Sequence, residues 1–218
     1  MLFGVRVRSI AVVAPSAFPG HGSAAQARRD GVVVRAARVA DAEAIRQIYN
    51  HEVLSTTATF DLVPRSLEEQ QAWLGDRTGA FSVIVAVDAA EIDPATGEPA
   101  VVGFASLSPY RERAAYRTSV EDSVYVRRDR GGEGIGTLLL DELLDIAEQS
   151  GFHAVFARIE ASGTASRALH SRCGFRLVGI ERETGRKFNR WLDVALMECL
   201  LHERHEAIGA GLTEATDY

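Results

Sequence analysis

Residues 118–150 read TSVEDSVYVRRDRGGEGIGTLLLDELLDIAEQS, and the pattern changes twice along them. Val120, Ser123, Val124, Tyr125 and Val126 form a β-rich run, the signature of a strand. A basic, glycine-dense loop follows, with Arg127, Arg128, Arg130, Gly131, Gly132, Gly134 and Gly136. Beyond it Ile135, Leu138, Leu139, Leu143, Leu144, Ile146 and Ala147 recur at helical spacing. A glycine loop that opens a helix turns backbone N–H groups and the positive end of the helix dipole toward an anion. The stretch predicts a cradle for a phosphate-bearing ligand, with Glu121 one strand-length upstream as a base.

The rest of the chain limits what such a cradle can serve. The 218 residues carry 24 Lys and Arg against 30 Asp and Glu, a formal charge of −6. That balance speaks against nucleic acid as the main partner, so the basic loop is a local feature. The two cysteines, Cys173 and Cys199, give neither a disulfide framework nor zinc spacing, and a reducing, cytoplasmic setting is expected with no metal. His202 and His205 lie three apart, one short of the metalloprotease helix spacing. No apolar run approaches the length of a membrane span.

Outward from the central stretch, residues 1–30 hold Arg6, Arg8, Arg28 and Arg29 with Asp30 as the single acid. They are read as an extension outside the fold. The domain is expected over residues 31–202, with a polar tail at 203–218. Val32–Arg35 reads as a strand. Asp41 is the expected N-cap of a helix whose face is Ala44, Ile45, Ile48 and Tyr49. Residues 50–60 turn Thr-rich and read as a loop. Ser66 with Glu69 forms a capping box before a second helix. Residues 81–87 and 101–107 read as strands of a hairpin with an exposed connector at 88–99. After the central unit come a strand at 154–159 and a helix capped by Ser162 or Thr164 and closed by Gly174. Two further strands, 175–181 and 191–200, join through a turn at 185–190. Trp73, Trp191 and Cys173 read as core. The order is β-α-α-β-β-β-α-β-α-β-β, an α/β chain of the α+β kind with one mixed sheet and helices on both faces.

Five segments, in order, resemble the GNAT superfamily of acetyl-CoA-dependent N-acetyltransferases, and within it the phosphinothricin and methionine-sulfone acetyltransferase group. They are NHEVLSTTATF (50–60), YRTSVEDSVYV (116–126), GGEGIGTLLLDELL (131–144), ASRALHSRCGF (165–175) and RKFNRWLDVALM (186–197). The resemblance implies the GNAT acyl-CoA N-acyltransferase fold, acetyl-CoA as co-substrate, and a homodimer with the C-terminal strands near its interface. It assigns the pyrophosphate to the loop and first helical turn, Gly131, Gly132, Glu133, Gly134, Ile135, Gly136 and Thr137. Gly134 and Gly136 match the family's Gln/Arg-x-x-Gly-x-Gly/Ala pattern, while Gly131 stands at its first position and Glu133 adds an acid. Val124, Tyr125 and Val126 would offer backbone groups to the pantetheine arm. Where the family has an Asn in the later helix this chain has Gly163, with Ser166 nearby as a polar partner.

Acetyl transfer needs an amine to lose a proton, a polarised thioester carbonyl and a stabilised leaving thiolate. By resemblance Glu121 is the general base; otherwise it is a surface carboxylate. His170 is either the acid that protonates the thiolate or a packed helix histidine. By resemblance Arg113 and Arg117, with Arg111 beside them in the loop before Glu121, clamp an anionic group of the acceptor; otherwise the three form a solvated basic loop. Phe60 is either an acceptor-pocket wall or core. The expected activity is direct acetylation of the α-amine of a small amino acid or analogue of the phosphinothricin, methionine sulfone or methionine sulfoximine type. Two alternatives stand beside it, a protein or peptide N-terminal acetyltransferase and a catalytically silent acetyl-CoA-binding sensor.

Overall fold

The computed structural model describes residues 28–29, 31–77 and 79–204. Its strands are β1 (Arg28–Arg29), β2 (Val32–Ala36), β3 (Val83–Ile92), β4 (Pro99–Pro109), β5 (Ser119–Val126), β6 (Ala154–Glu160), β7 (Arg176–Lys187) and β8 (Arg190–Leu200). Its helices are α1 (Ala42–Ser55), α2 (Leu67–Gly75), α3 (Ile135–Gln149) and α4 (Thr164–Arg172). The strands make one mixed sheet in the order β1-β2-β3-β4-β5-β6-β8-β7, antiparallel except for the β5–β6 pair. The first and last parts of the chain expected outside the fold, 1–27, residue 30 and 205–218, lie outside the described residues.

Two cores cover the two faces. On one, Leu139, Leu140, Leu143 and Leu144 of α3 are fully buried against Val102, Val120 and Val155. Each such leucine contributes about 1.5–3 kcal/mol through burial. On the other, Ile45, Tyr49 and Val53 of α1 pack on Val85, Val87 and Phe104. β5 spans both by alternation: Val120, Val124 and Val126 face α3, while Tyr125 faces α1. Residues 121 and 123 therefore share the α1 face, and Asp122 shares the α3 face.

The sheet opens at one place. β5 and β6 pair only at Ser119↔Ala154, Val120↔Val155 and Glu121↔Phe156. β5 then stays with β4 as far as Gly103↔Val126, while β6 stays with β8 as far as Glu160↔Val194. Beyond Glu121 the two strands part.

The Ser66 box forms as expected, with Glu69 N–H donating to Ser66 Oγ at 3.1 Å and Ser66 N–H to Glu69 Oε2 at 2.7 Å. At the end of α4, Gly174 takes φ 93°, and Phe175 N–H reaches the His170 carbonyl at 3.0 Å, the closure expected of a C-terminal glycine.

Several expectations need correcting. α1 runs on through Ser55, because Glu52 and Val53 are buried and continue the face of Ile45 and Tyr49; the loop begins at Thr56. β3 and β4 extend, leaving a connector of only 93–98. Neither Ser162 nor Thr164 caps α4, whose N-cap is Gly163; Ser162 Oγ instead donates to Glu160 Oε2 at 2.6 Å. The β7–β8 turn narrows to Phe188 and Asn189, with φ of 49° and 60°. Trp191 is 60% exposed, since the neighbouring Leu192 takes the inward parity of β8. The sheet reaches into the amino-terminal segment set aside, through Arg28↔Val33 and Arg29↔Val32. At the other end Arg204 is buried and ion-paired to Asp141 at 3.0 Å and to Asp145, so the fold continues two residues past 202.

Candidate active site

The opening between β5 and β6 is a cavity of about 690 Å³. Its walls are Ser123, Val124, Tyr125 and Val126 on one side and Ala157, Arg158, Ile159 and Glu160 on the other. The α1–α2 loop from Thr56 to Phe60 covers it, and Gly163, Ser166 and His170 of the α4 segment floor it. A strand that loses its neighbour keeps its pleat and leaves backbone groups for a ligand to pair with.

Glu121 is the last residue of β5 paired with β6 and lines the cavity. Burial pushes its carboxyl above the ordinary glutamate value, against the opposing charge of Arg158. A carboxylate so placed is a stronger base than a solvated one.

His170 is buried at 4% exposure and has both ring nitrogens engaged. Nδ1 lies 2.7 Å from the Ser166 carbonyl and Nε2 3.1 Å from Asp122 Oδ2. The Ser166 carbonyl can only accept, so Nδ1 donates to it, and Nε2 faces the Asp122 carboxyl, an arrangement that favours the charged ring. Burial works against that charge, but Asp122 and the Ser166 carbonyl outweigh it and raise the histidine above its ordinary value.

At the loop, Gly131 lines the cavity, while Gly132, Glu133, Gly134, Ile135, Gly136 and Thr137 form the turn and the first residues of α3 beside it. Gly132 and Gly134 have φ of 83° and 79°, the left-handed region that a side chain disfavours. The acid at Glu133 is tied back by Arg130, Nε to Oε2 at 2.8 Å. Arg130 also meets Asp88 at 2.9 Å, and Arg127 meets Glu91 at 2.8 Å, so strand β3 braces the loop. Gly136 lets α4 come close: a Cβ there would sit 3.0 Å from Leu169 Cδ2.

Phe60 lines the cavity with its ring packed against Gly185 of β7. Arg111, Arg113 and Arg117 are exposed on the segment between β4 and β5 and are absent from the cavity lining among the described residues. Arg111 lies over the Tyr110 ring at 4.9 Å. Among the described residues no cluster of three metal-ligating side chains occurs, and no helix is long and apolar enough to cross a membrane.

Sequence reasoning missed several lining residues, Asp122, Arg158 and Glu52 among them. Asp122 hid beside Glu121. Arg158 sat inside a strand read only for its apolar positions. Glu52 fell in the supposed loop, although it follows Tyr49 at helical spacing. Its carboxylate takes Arg128 at 2.7 and 2.5 Å, joining α1 to the glycine loop.

A mixed sheet that parts between two parallel strands, with a glycine loop heading the next helix, suits a ligand that joins an extended arm to a phosphate group. The profile described as the Acetyltransferase (GNAT) family matches residues 43–175. The chain is 41% identical over 169 residues to a phosphinothricin N-acetyltransferase of Streptomyces coelicolor, covering 77% of this chain and 95% of that protein. It is 40% identical over 175 residues to an L-methionine sulfoximine/L-methionine sulfone acetyltransferase of Pseudomonas aeruginosa, covering 80% and 97%. A solved GNAT superfamily phosphinothricin acetyltransferase of Sinorhizobium meliloti, in complex with acetyl-CoA, superposes with a TM-score of 0.71 at 38% identity, covering 79% and 90%. The chain belongs to the GNAT acetyltransferase family. It is an N-acetyltransferase with acetyl-CoA as co-substrate.

Proposed function

We propose that the protein acetylates the α-amine of a small amino acid or analogue of the phosphinothricin, methionine sulfone or methionine sulfoximine type, by direct transfer with Glu121 as general base. The observation that carries this reading is the parting of β5 and β6 immediately after Glu121, which sets a half-buried carboxylate at the mouth of the cleft that the co-substrate enters. Relatives named for these acceptors at about 40% identity support the choice.

Glu121 takes the proton of the acceptor ammonium, directly or through a water, and the freed amine attacks the thioester carbonyl. The β5 edge from Ser123 to Val126 holds the pantetheine arm, and the loop amides of 131–137 hold the pyrophosphate. His170, with both nitrogens engaged, serves as a fixed positive charge for the departing thiolate rather than as a travelling proton donor.

The exposed apolar side chains Leu177, Val178 and Ile180 on the edge strand β7 support a homodimer closed over that edge. Light scattering at micromolar concentration would read it, and a monomer would remove it. Two free, buried cysteines suit a cytoplasmic setting.

Release of free CoA thiol, followed across phosphinothricin, methionine sulfone, methionine sulfoximine, common amino acids and peptides with free N-termini, tests the acceptor. Turnover should be fastest with the first three. Preference for peptides, or acetyl-CoA binding with no turnover on any of them, would overturn it.

A further inference from the structure

Three arginines line the cavity among the described residues, Arg127, Arg128 and Arg158. Arg127 and Arg128 leave the end of β5 toward the glycine loop and are taken up by Glu91 and Glu52. Arg158 stands on the opposite wall. Val155, Ala157 and Ile159 of β6 are in the α3 core, so Phe156, Arg158 and Glu160 take the other face. Glu121 takes that face too, and its registered partner is Phe156. Arg158 is one side-chain step along from that partner, on the side where the strands have parted. Both side chains line the cavity from that face, and Arg158 is the positive charge that acts on the Glu121 carboxyl.

Arg158 has one ion-pair partner among the described residues, Glu181 of β7, with Nη2–Oε2 at 2.7 Å and Nη1–Oε1 at 3.3 Å. Both side chains are about one-third exposed, 33% and 34%. An exposed pair of this kind holds weakly, and a better-placed carboxylate can exchange into it. The guanidinium fork offers an incoming carboxylate two aligned hydrogen bonds, whereas Glu181 takes one, at Oε1, and leaves Oε2 without one. An α-amino acid carries its carboxylate one carbon from the amine, so an amine at Glu121 brings the carboxylate toward Arg158.

We propose that Arg158 reads the α-carboxylate of the acceptor, and that Glu181 is its resident counter-ion, displaced when the acceptor binds. This rests on the amino-acid acceptor class proposed above and assigns within it a specificity-determining residue. Arg111, Arg113 and Arg117 stay on the exposed segment outside the lining.

Steady-state kinetics on each amino acid and on the matching amine without its carboxylate, with wild type, Arg158→Ala, Arg158→Lys and Glu181→Gln, tests the assignment. Arg158→Ala should raise the KM for the amino acid about 10–100-fold, the scale of a lost charged hydrogen bond. The KM for acetyl-CoA should not move, and neither should the kinetics on the bare amine when read at a pH above the Glu121 limb, where loss of the Arg158 charge no longer changes the ionisation of the base; this also reports a folded variant. Arg158→Lys should recover part of the loss. Glu181→Gln should lower the amino-acid KM by ~2–5-fold by removing the competing carboxylate. An unchanged amino-acid KM in Arg158→Ala, or an equal loss on the bare amine, overturns this assignment alone. A wild type that turns over no amino acid overturns the acceptor class, and the assignment with it.

Discussion

His170 Nε2 lies 3.1 Å from Asp122 Oδ2 at the floor of the cleft, both side chains buried, and the Ser166 carbonyl takes the other ring nitrogen. The pair couples α4 to the face of β5 opposite the base. Its charge makes the fold sensitive to pH in a stated direction. His170 titrates above its ordinary 6.5 when folded, so its contribution is fully present below that value. It is lost as pH rises through the higher folded-state value. Asp122→Asn leaves a buried imidazolium without its counter-charge and should cost about 3 kcal/mol on the acid side of 6.5, shrinking as pH rises. Denaturant melts at several pH values would measure it. A loss independent of pH would show that the pair is not ionised.

Glu121→Gln should lower kcat by about 10²–10³-fold, the usual share of a general base, and leave acetyl-CoA affinity unchanged. In the wild type, the deprotonated carboxylate is the active form, and burial raises its value above the ordinary 4.5. The rate should therefore climb with pH through a limb above that value, and the limb should vanish in Glu121→Gln. Rate profiles in overlapping buffers would show it. An undiminished kcat in the variant would transfer the role of base elsewhere.

Gly132 isolates the backbone demand of the loop. Its φ is 83°, and a Cβ there would meet nothing within 4 Å. Gly132→Ala therefore tests conformation without a clash, and should cost about 1 kcal/mol in stability. Because Gly132 sits in the loop proposed to hold the pyrophosphate, KM for acetyl-CoA should rise more than KM for the acceptor. Equal changes in both would mean that the loop does not hold the co-substrate.

What was legible in the sequence and what was not divide along physical lines. The strand–loop–helix at 118–150 could be read because periodicity changes from two to 3.6 across a glycine cluster, and this local signal survives folding. The Ser66–Glu69 box and the Gly174 closure are equally local. The end of α1 was misread because three threonines lower helix propensity, while the burial of Glu52 and Val53 depends on sheet neighbours far along the chain. Arg158 escaped for a related reason. Its meaning comes from standing diagonally across from Glu121 and against Glu181, a relation set by strand order β5-β6-β8-β7 and not by spacing. Trp191 shows the converse, since an aromatic in an apolar run reads as core until the parity of the strand is known.

Gly185 and Phe60 give the sharpest test of the acceptor wall. A Cβ on Gly185 would lie 2.2 Å from Phe60 Cε2 and 2.5 Å from Cδ2, so alanine and the ring cannot both stay. β7 is held in register through Gly185↔Leu192 and Arg186↔Trp191, whereas Phe60 ends a side chain on the loop after α1. The ring should be what moves. Phe60 is already 37% exposed, so the stability change should stay within ~1 kcal/mol. The wall of the cavity would be displaced, however, and misplacement on this scale should raise the acceptor KM by ~10-fold with the KM for acetyl-CoA unmoved. Phe60→Leu in the same chain shortens the ring side and should restore most of the acceptor KM. Measured kinetics on the single and double variants decide the matter: an acceptor KM that ignores Gly185→Ala would make Phe60 a packing residue and place the acceptor away from β7.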